Sequence, residues 1–294
     1  FKHGELTKEE LKEERAVSVS PDKKTELSVR DHDLWLKDLE TEEEFRLSSD
    51  GEEDFAYALP AQYSGYITQK VKGIPEKPDV LWNEDSTRFL TYRLDQRNVK
   101  ELYIIQSYDE EGSESIRPRL HTYKCPFPED DIVPLAYFYI GDVKARTLTK
   151  VNFKPRGSGG RMFFGFYNAA KWIDSKTLMT TWISRGNKSA EFVLMHADGS
   201  AESLVQESSD SFLNIATYGN LDGYADYCAS NTITADRKHV IWQSERDDLA
   251  RLFLYDASTK ELIKAITPKD CSVGELICQD EEYIYFYASN LAMM

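Results

Sequence analysis

Apolar and polar positions alternate in short runs along this chain, and one run recurs. Leu34-Trp35-Leu36-Lys37-Asp38-Leu39-Glu40-Thr41 reads as a strand that ends on an aspartate and enters a turn, followed by a short strand at Phe45-Arg46-Leu47. The pattern returns at Phe138-Tyr139-Ile140-Gly141-Asp142, at Phe192-Val193-Leu194-Met195-His196 and at Leu252-Phe253-Leu254-Tyr255-Asp256. Its last position falls at 38, 142, 196 and 256, where Asp or His is expected to close the strand and open a turn by bonding its own backbone. Two spacings, of about 54 and 60 residues, suit one four-stranded propeller blade with its connections. The 104-residue spacing holds either two blades or one blade with a long insertion. The repeat predicts an all-β chain and a β-propeller.

Residues 5–15 read as a short surface helix, with Thr7 and Glu10 at capping-box spacing. Residues 1–16 are therefore expected as an N-terminal helical appendage and residues 17–294 as the propeller domain. Strands are predicted at Val17 to Ser20 and Leu27 to Arg30, around the turn Ser20-Pro21-Asp22-Lys23-Lys24. From Glu52 to Pro78 the repeat is interrupted. Phe55, Tyr57, Tyr63 and Tyr66 stand among Ala, Gly and Pro, and Lys70, Lys72 and Lys77 follow. No regular helix is expected there, because Pro75 and Pro78 exclude one, and long loops inside a repeat fold usually carry function.

Further strands are expected at Val80 to Trp82, Arg88 to Tyr92, Val99 to Gln106 and Leu120 to Tyr123. Ala136 to Val151 restores the repeat, and Leu178 to Ile183 pairs with Glu191 to His196. Asn231 to Asp236, Val240 to Ser244, Arg251 to Asp256 and Leu262 to Ile266 make the clearest full blade. Glu275 to Cys278 and Tyr283 to Ala288 begin another, which gives about four full blades and part of a fifth. An unfinished blade leaves a sheet edge open, so the chain is expected to belong to a longer protein.

Composition narrows the function classes. A formal charge of −15 repels phosphate and argues against nucleic-acid binding. No apolar run reaches the roughly 18 residues of a membrane span. The 17 Tyr, 14 Phe and 5 Trp suit half-buried strands. Cys125, Cys228, Cys271 and Cys278 form no Cys-x-x-Cys pair and His is scarce, so neither a metal site nor a cofactor is expected. Buried thiols are the favoured reading, with a Cys271–Cys278 bridge between two strands as the alternative. The compartment stays open.

Catalytic chemistry is sparse. There is no Gly-x-Ser-x-Gly elbow, phosphate loop, dinucleotide fingerprint or calcium-loop spacing. Gly157-Ser158-Gly159-Gly160 reads as a flexible loop. His3, His32, His121, His196 and His239 assemble no triad. Acidic clusters, among them Asp50 to Asp54, fall in predicted turns, which suits either solvated charge or a seat for a peptide amine. Arg93, Asp95, Arg97, Arg117 and Arg119 suit either a group that holds a carboxylate or carbonyl or an ion-paired surface. The Tyr-rich stretches 55–66 and 217–227 suit either a peptide-binding wall or packing between blades.

Several motifs taken in order carry a family likeness. Ser20-Pro21-Asp22, Asp33-Leu34-Trp35-Leu36, Val80-Leu81-Trp82-Asn83-Glu84-Asp85-Ser86 and Phe89-Leu90-Thr91-Tyr92-Arg93 lead to Gly219-Asn220-Leu221-Asp222-Gly223-Tyr224 and Ile284-Tyr285-Phe286. This series resembles the N-terminal β-propeller of dipeptidyl-peptidase IV-type serine peptidases, of the prolyl oligopeptidase group, over nearly all the chain. The resemblance implies an eight-bladed propeller over an α/β-hydrolase domain that supplies Ser, Asp and His and is absent from this chain. It also implies that the 104-residue interval is one enlarged blade and that a homodimer forms through a propeller extension.

One departure stands out. The family's aminodipeptidases hold the substrate amine with a Glu pair just before the strand that is here Val80-Leu81-Trp82. The matching stretch is Thr68-Gln69-Lys70-Val71-Lys72-Gly73, with no Glu pair.

The leading expectation is a substrate-gating, peptide-positioning propeller, not catalytic by itself, in a protein that is a serine peptidase as a whole. Its partners would be the peptide substrate and the hydrolase domain. Candidate substrate-binding residues are Asp50, Asp54, Tyr63, Tyr66, Lys70, Lys72, Arg93 and Arg97. The alternative is a propeller module for protein–protein interaction with no enzyme attached. A propeller with its own glycosidase or lyase site is a third reading, and it needs convergent carboxylates.

Overall fold

The structure, a computed structural model, describes residues 16–62, 64–107, 117–157, 170–213, 231–280 and 282–290. The expected N-terminal helix, Tyr63, Cys228, the Ser158-Gly159-Gly160 segment and the 217–227 stretch lie outside the described residues. The chain divides into two compact units, one of Phe1–Leu148 with Pro155–Arg161 and one of Thr149–Lys154 with Met162–Met294.

In the first unit, β1 (Val17–Val19), β2 (Thr25–Arg30), β3 (Asp33–Asp38) and β4 (Glu44–Arg46) form an antiparallel meander in chain order. The next sheet is enlarged. It contains β5 (Phe55–Tyr57), β6 (Leu81–Trp82), β7 (Arg88–Asp95), β10 (Leu135–Asp142), β11 (Thr147–Lys150) and β12 (Arg156–Gly157). Two short strands share one edge of β7. There, β6 pairs with Phe89 and Leu90, and β5 pairs with Arg93, Leu94 and Asp95. The inner strand of this blade is thus split, and helix α1 (Ser64–Lys72) lies between its two pieces in the chain. Between β7 and β10 the chain runs out into a separate hairpin, β8 (Glu101–Gln106) with β9 (Arg119–Lys124). The 104-residue interval is therefore one enlarged blade.

In the second unit, β13 (Lys171–Trp172), β14 (Thr177–Ile183), β15 (Ser189–His196) and β16 (Ala201–Ser208) form one meander. A second comprises β17 (Thr232–Ile233), β18 (His239–Ser244), β19 (Arg251–Asp256) and β20 (Leu262–Ala265). The pair β21 (Cys271–Gln279) and β22 (Ile284–Asn290) begins a further sheet. The described strands thus make four blades and part of a fifth, a partial β-propeller.

Each core lies between successive sheets, where the period-2 alternation of the strands delivers it. Phe192, Leu194, Leu204, Val240, Trp242 and Phe253 fill one such layer. On the opposite side of the β18–β19 pair, Ile241 and Leu252 meet Val273.

The repeated strand end does what its chemistry predicts at three of four places. The Asp38 carboxylate accepts from the Glu40 and Thr41 amides, Asp142 from the Ala145 amide, and Asp256 from the Ser258 and Thr259 amides. His196 departs from the pattern. Its ring meets the Thr177 hydroxyl, and Asp198, two residues on, takes over the turn by accepting from the Ser200 amide.

Two expectations are corrected. Pro75 and Pro78 do not exclude a helix. They follow one that has already stopped, because Gly73 takes a φ of +64° and the chain closes in a Schellman turn. The Ile74 amide bonds the Gln69 carbonyl at 2.9 Å and the Gly73 amide bonds the Lys70 carbonyl at 3.2 Å. Cys271 and Cys278 lie on the same strand, β21, seven positions apart, so extended geometry separates them by roughly 23 Å and no bridge can form. Cys125, Cys271 and Cys278 are free thiols, Cys278 exposed and the others half-buried.

Candidate functional site

The split inner strand brings several charged and aromatic side chains to one face. Tyr57 and Tyr137 lie opposite Arg93 in the ladders on its two sides, and Phe55 lies opposite Asp95. Residues opposite one another point the same way, so strand register alone surrounds Arg93 with rings. Its guanidinium sits 3.5 Å above the Phe55 centroid and 5.0 Å from that of Tyr57. Phe55 meets Tyr137 edge-on at 5.8 Å, and Tyr57 meets Tyr139 edge-on at 5.3 Å.

Rings that cover the faces of a guanidinium leave its edges for hydrogen bonds. Arg93, 7% exposed, donates to Asp50 Oδ2 at 2.7 Å, to the Phe55 carbonyl at 3.0 Å and to the Asp50 carbonyl. The other Asp50 oxygen accepts the Tyr57 hydroxyl at 2.8 Å. Burial, then that bond to Asp50, pushes the Tyr57 phenol far above its ordinary value.

Arg97 lies further out, 4.3 Å from the Phe55 centroid. It grips both oxygens of Asp95, at 3.0 and 2.8 Å, and reaches Glu52 at 3.3 Å. The bond from Arg97 first, then its charge, hold the Asp95 carboxyl below its ordinary value against a burial cost. Three carboxylates, Asp50, Glu52 and Asp95, face two guanidiniums. The group carries one net negative charge, and Asp50 and Glu52 form its exposed rim. Both guanidiniums are thus already engaged by carboxylates.

Asp54 does not join this group. With a φ of +58°, it accepts from the Gln62 amide group at 3.1 Å and faces Lys124 at 3.5 Å, toward the base of the β8–β9 hairpin. Gln62 also accepts the Lys124 amide at 2.7 Å and so ties that base to the enlarged blade.

A second group lies on α1, which packs against β9. Tyr66 is half-buried, and Lys70 Nζ stands 5.7 Å from its ring centroid. Burial raises the Tyr66 phenol, and the charges of Glu76, Asp54 and Glu53 add to the rise. Lys70 and Lys72 are exposed in the last turn, where cations suit the helix C-terminus. Of the residues expected at a site, Asp50, Arg93 and Arg97 thus come together, and Tyr66 joins Lys70 and Lys72 on α1. Asp54 stands apart, and Tyr63 lies outside the described residues.

Glu52 falls inside the expected acidic cluster Asp50 to Asp54, whereas Glu76 as a member and Tyr137 and Tyr139 as walls are not anticipated from the sequence. The alternation of Phe55 with Tyr57, of Arg93 with Asp95 and of Tyr137 with Tyr139 is the signal that marks a shared face. Among the described residues, no group of three or more His, Cys, Asp or Glu side chains is placed to hold a metal ion, and no helix is long and apolar enough to cross a membrane.

Comparison with curated protein sequences finds no match. Among solved structures, the chain is similar to dipeptidyl peptidase 4 of Porphyromonas gingivalis, with a TM-score of 0.58 and 18% identity over 88% of this chain and 33% of that one. It is also similar to a putative dipeptidyl aminopeptidase IV of Bacteroides ovatus, with a TM-score of 0.54 and 12% identity over 91% of this chain and 41% of that one. At these identities the likeness is one of fold, and the chain spans well under half the length of either structure. Residues 3–292 match the family model of the dipeptidyl peptidase IV (DPP IV) N-terminal region, and the chain belongs to that family.

Proposed function

We propose that this chain is the substrate-filtering and peptide-positioning propeller of a DPP IV-type serine peptidase, with catalysis carried out by an α/β-hydrolase domain of the same protein. The family match over residues 3–292 carries this reading. The enlarged blade supports it with a ring-lined, charged face built from Asp50, Glu52, Phe55, Arg93 and Arg97. Polar groups fixed on strands position a peptide so that attack by the nucleophile becomes effectively intramolecular.

The peptide end it prefers follows from which charges are already engaged. Asp50 is held by Arg93 and Tyr57, and Asp54 by Gln62 and Lys124. Lys70 and Lys72 extend from α1 at the stretch where the family's aminodipeptidases carry a Glu pair. An acidic or blocked N-terminus fits these lysines better than a free amine. The test is an assay of the full-length protein on Xaa-Pro chromogenic peptides with free, blocked and acidic N-termini, with and without Lys70→Glu and Lys72→Glu. A preference unchanged by charge reversal overturns the role of the lysines.

One observation favours the second reading, a module for protein–protein interaction. Tyr103, Ile105 and Leu120 are each more than three-fifths exposed on one face of the β8–β9 hairpin, and an isolated two-stranded hairpin is marginally stable by itself. In the peptidase reading, the same stripe is the self-association surface of a homodimer.

A further inference from the structure

Helix α1 and its flanks leave the sheet after β5 and rejoin it at β6, and both ends are tied at one point. The Ala58 amide donates to the Tyr92 carbonyl at 2.8 Å, and the Asp79 amide donates to the Ala58 carbonyl at 2.7 Å. The Thr91 hydroxyl donates to the Asp79 carbonyl at 3.1 Å, and the Tyr92 hydroxyl donates to Asp79 Oδ2 at 2.8 Å. Ala58, Thr91 and Tyr92 are completely buried. Ala58 also has a φ of +54°, a strained backbone for a residue with a Cβ, which its surroundings must hold in place.

Tyr92 faces the Asp79 carboxylate from β7. Glu76, on the same return segment, acts on Tyr92, and Lys70 of α1 lies by Glu76. The flanking strand β5 offers Tyr57, whose hydroxyl is committed to Asp50, and β6 offers Leu81 and Trp82.

We propose that this neck is a proton-sensitive latch. With Asp79 neutral, it holds both ends of the α1 segment to β7; with Asp79 charged, it lets them open. Asp79 is half-buried, and a carboxylate held there with one hydroxyl partner carries a desolvation cost that release to water relieves. Burial pushes the Asp79 carboxyl up to about 6, with the Tyr92 bond pulling partly back, and burial raises Glu76 in the same direction. A carboxyl released to water returns to its ordinary 3.8. The latched form therefore holds its proton more tightly. Latching is strongest below about pH 4, weakens as pH rises toward about 6, and is level above that.

The proposal is independent of any peptidase role. Its test is amide hydrogen exchange of residues 64–72 in the full-length protein at about pH 5 and about pH 7.5, corrected for intrinsic exchange rates. The two values of the Asp79 carboxyl translate into about a tenfold loss of protection across that interval in the native protein. Asp79→Asn should keep the same protection at both pH values, and Glu76→Gln should keep the tenfold change. Equal protection in the native protein, or a full change in Asp79→Asn, overturns the latch. So does its disappearance in Glu76→Gln, which would move the titration to Glu76. Carbon-13 titration of the native Asp79 carboxyl needs no variant. A midpoint near 6 supports the latch, and one in the ordinary carboxylate range overturns it.

Discussion

Arg93 reaches from β7 to Asp50, beyond the end of the preceding blade, with its guanidinium nitrogen 2.7 Å from the carboxylate. The exposures are unequal: Arg93 is 7% exposed and Asp50 63%. The two ends are not equivalent: Asp50 is open to water, whereas Arg93 also donates to the Phe55 and Asp50 carbonyls and lies against two rings.

Removing the arginine is expected to cost more than removing the acid. Arg93→Met strips donors from two backbone carbonyls and is expected to destabilise by about 2–4 kcal/mol. Asp50→Asn keeps an acceptor and leaves the exposed end solvated, so about 1 kcal/mol is expected. Urea unfolding of both variants measures the difference, and an equal cost would contradict the asymmetry.

Gly141 lies opposite Phe89 across the β7–β10 ladder, and the ring occupies the space that a side chain would need. A Cβ added there would stand 2.1 Å from Phe89 Cζ. Phe89 is completely buried, so it cannot simply swing away. Gly141→Ala is expected to destabilise by about 1–3 kcal/mol, and Gly141→Ala with Phe89→Leu to recover part of that loss. Thermal unfolding of the single and double variants tests the coupling.

Glu207 of β16 fastens its blade to the next. Its carboxylate accepts from Trp242 Nε1 at 2.6 Å, from the Ser244 hydroxyl at 2.5 Å and from Arg246 at 2.5 Å. Trp242 and Ser244 are completely buried, so Glu207→Ala strands two buried donors. A loss of about 2–4 kcal/mol is expected, with Glu207→Gln losing less because one carbonyl oxygen remains. Denaturant titration separates the two.

The strand-end aspartates make stability fall in acid. Bonds from the Ser258 hydroxyl and from the Thr259 and Ser258 amides hold the Asp256 carboxyl down to about 2, from an ordinary 3.8. Asp22, Asp38, Asp85, Asp174, Asp198, Asp236 and Asp280 are lowered as well. A lowered acid stabilises the fold above its unfolded value and loses that contribution as pH falls through the folded one. The melting temperature should therefore drop between about pH 4 and about pH 2. The gap between the native protein and Asp256→Asn should narrow over the same range.

These turns are the most legible part of the chain. Strand alternation followed by Asp at 38, 142 and 256 specifies local geometry, which short sequence windows contain. His196 fits the spacing but lacks a carboxylate, and the turn moves to Asp198. Helix α1 is hidden behind two prolines that follow it, whereas Gly73 is the residue that ends it. The Arg93 group depends on β5 pairing with the second half of β7, a contact some 40 residues apart in sequence, which no local pattern encodes. The environment of Asp79 depends on the same kind of closure: the hydroxyls that meet its carboxylate and carbonyl come from Tyr92 and Thr91 of β7.

The most direct test of the account is hydrolysis by the full-length protein of Xaa-Pro chromogenic peptides, with a serine-directed inhibitor as control. The account predicts cleavage that the inhibitor abolishes, with blocked or acidic N-termini favoured and the preference reversed by Lys70→Glu with Lys72→Glu. A correctly folded full-length protein that cleaves none of these peptides would contradict it and leave the propeller as a binding module.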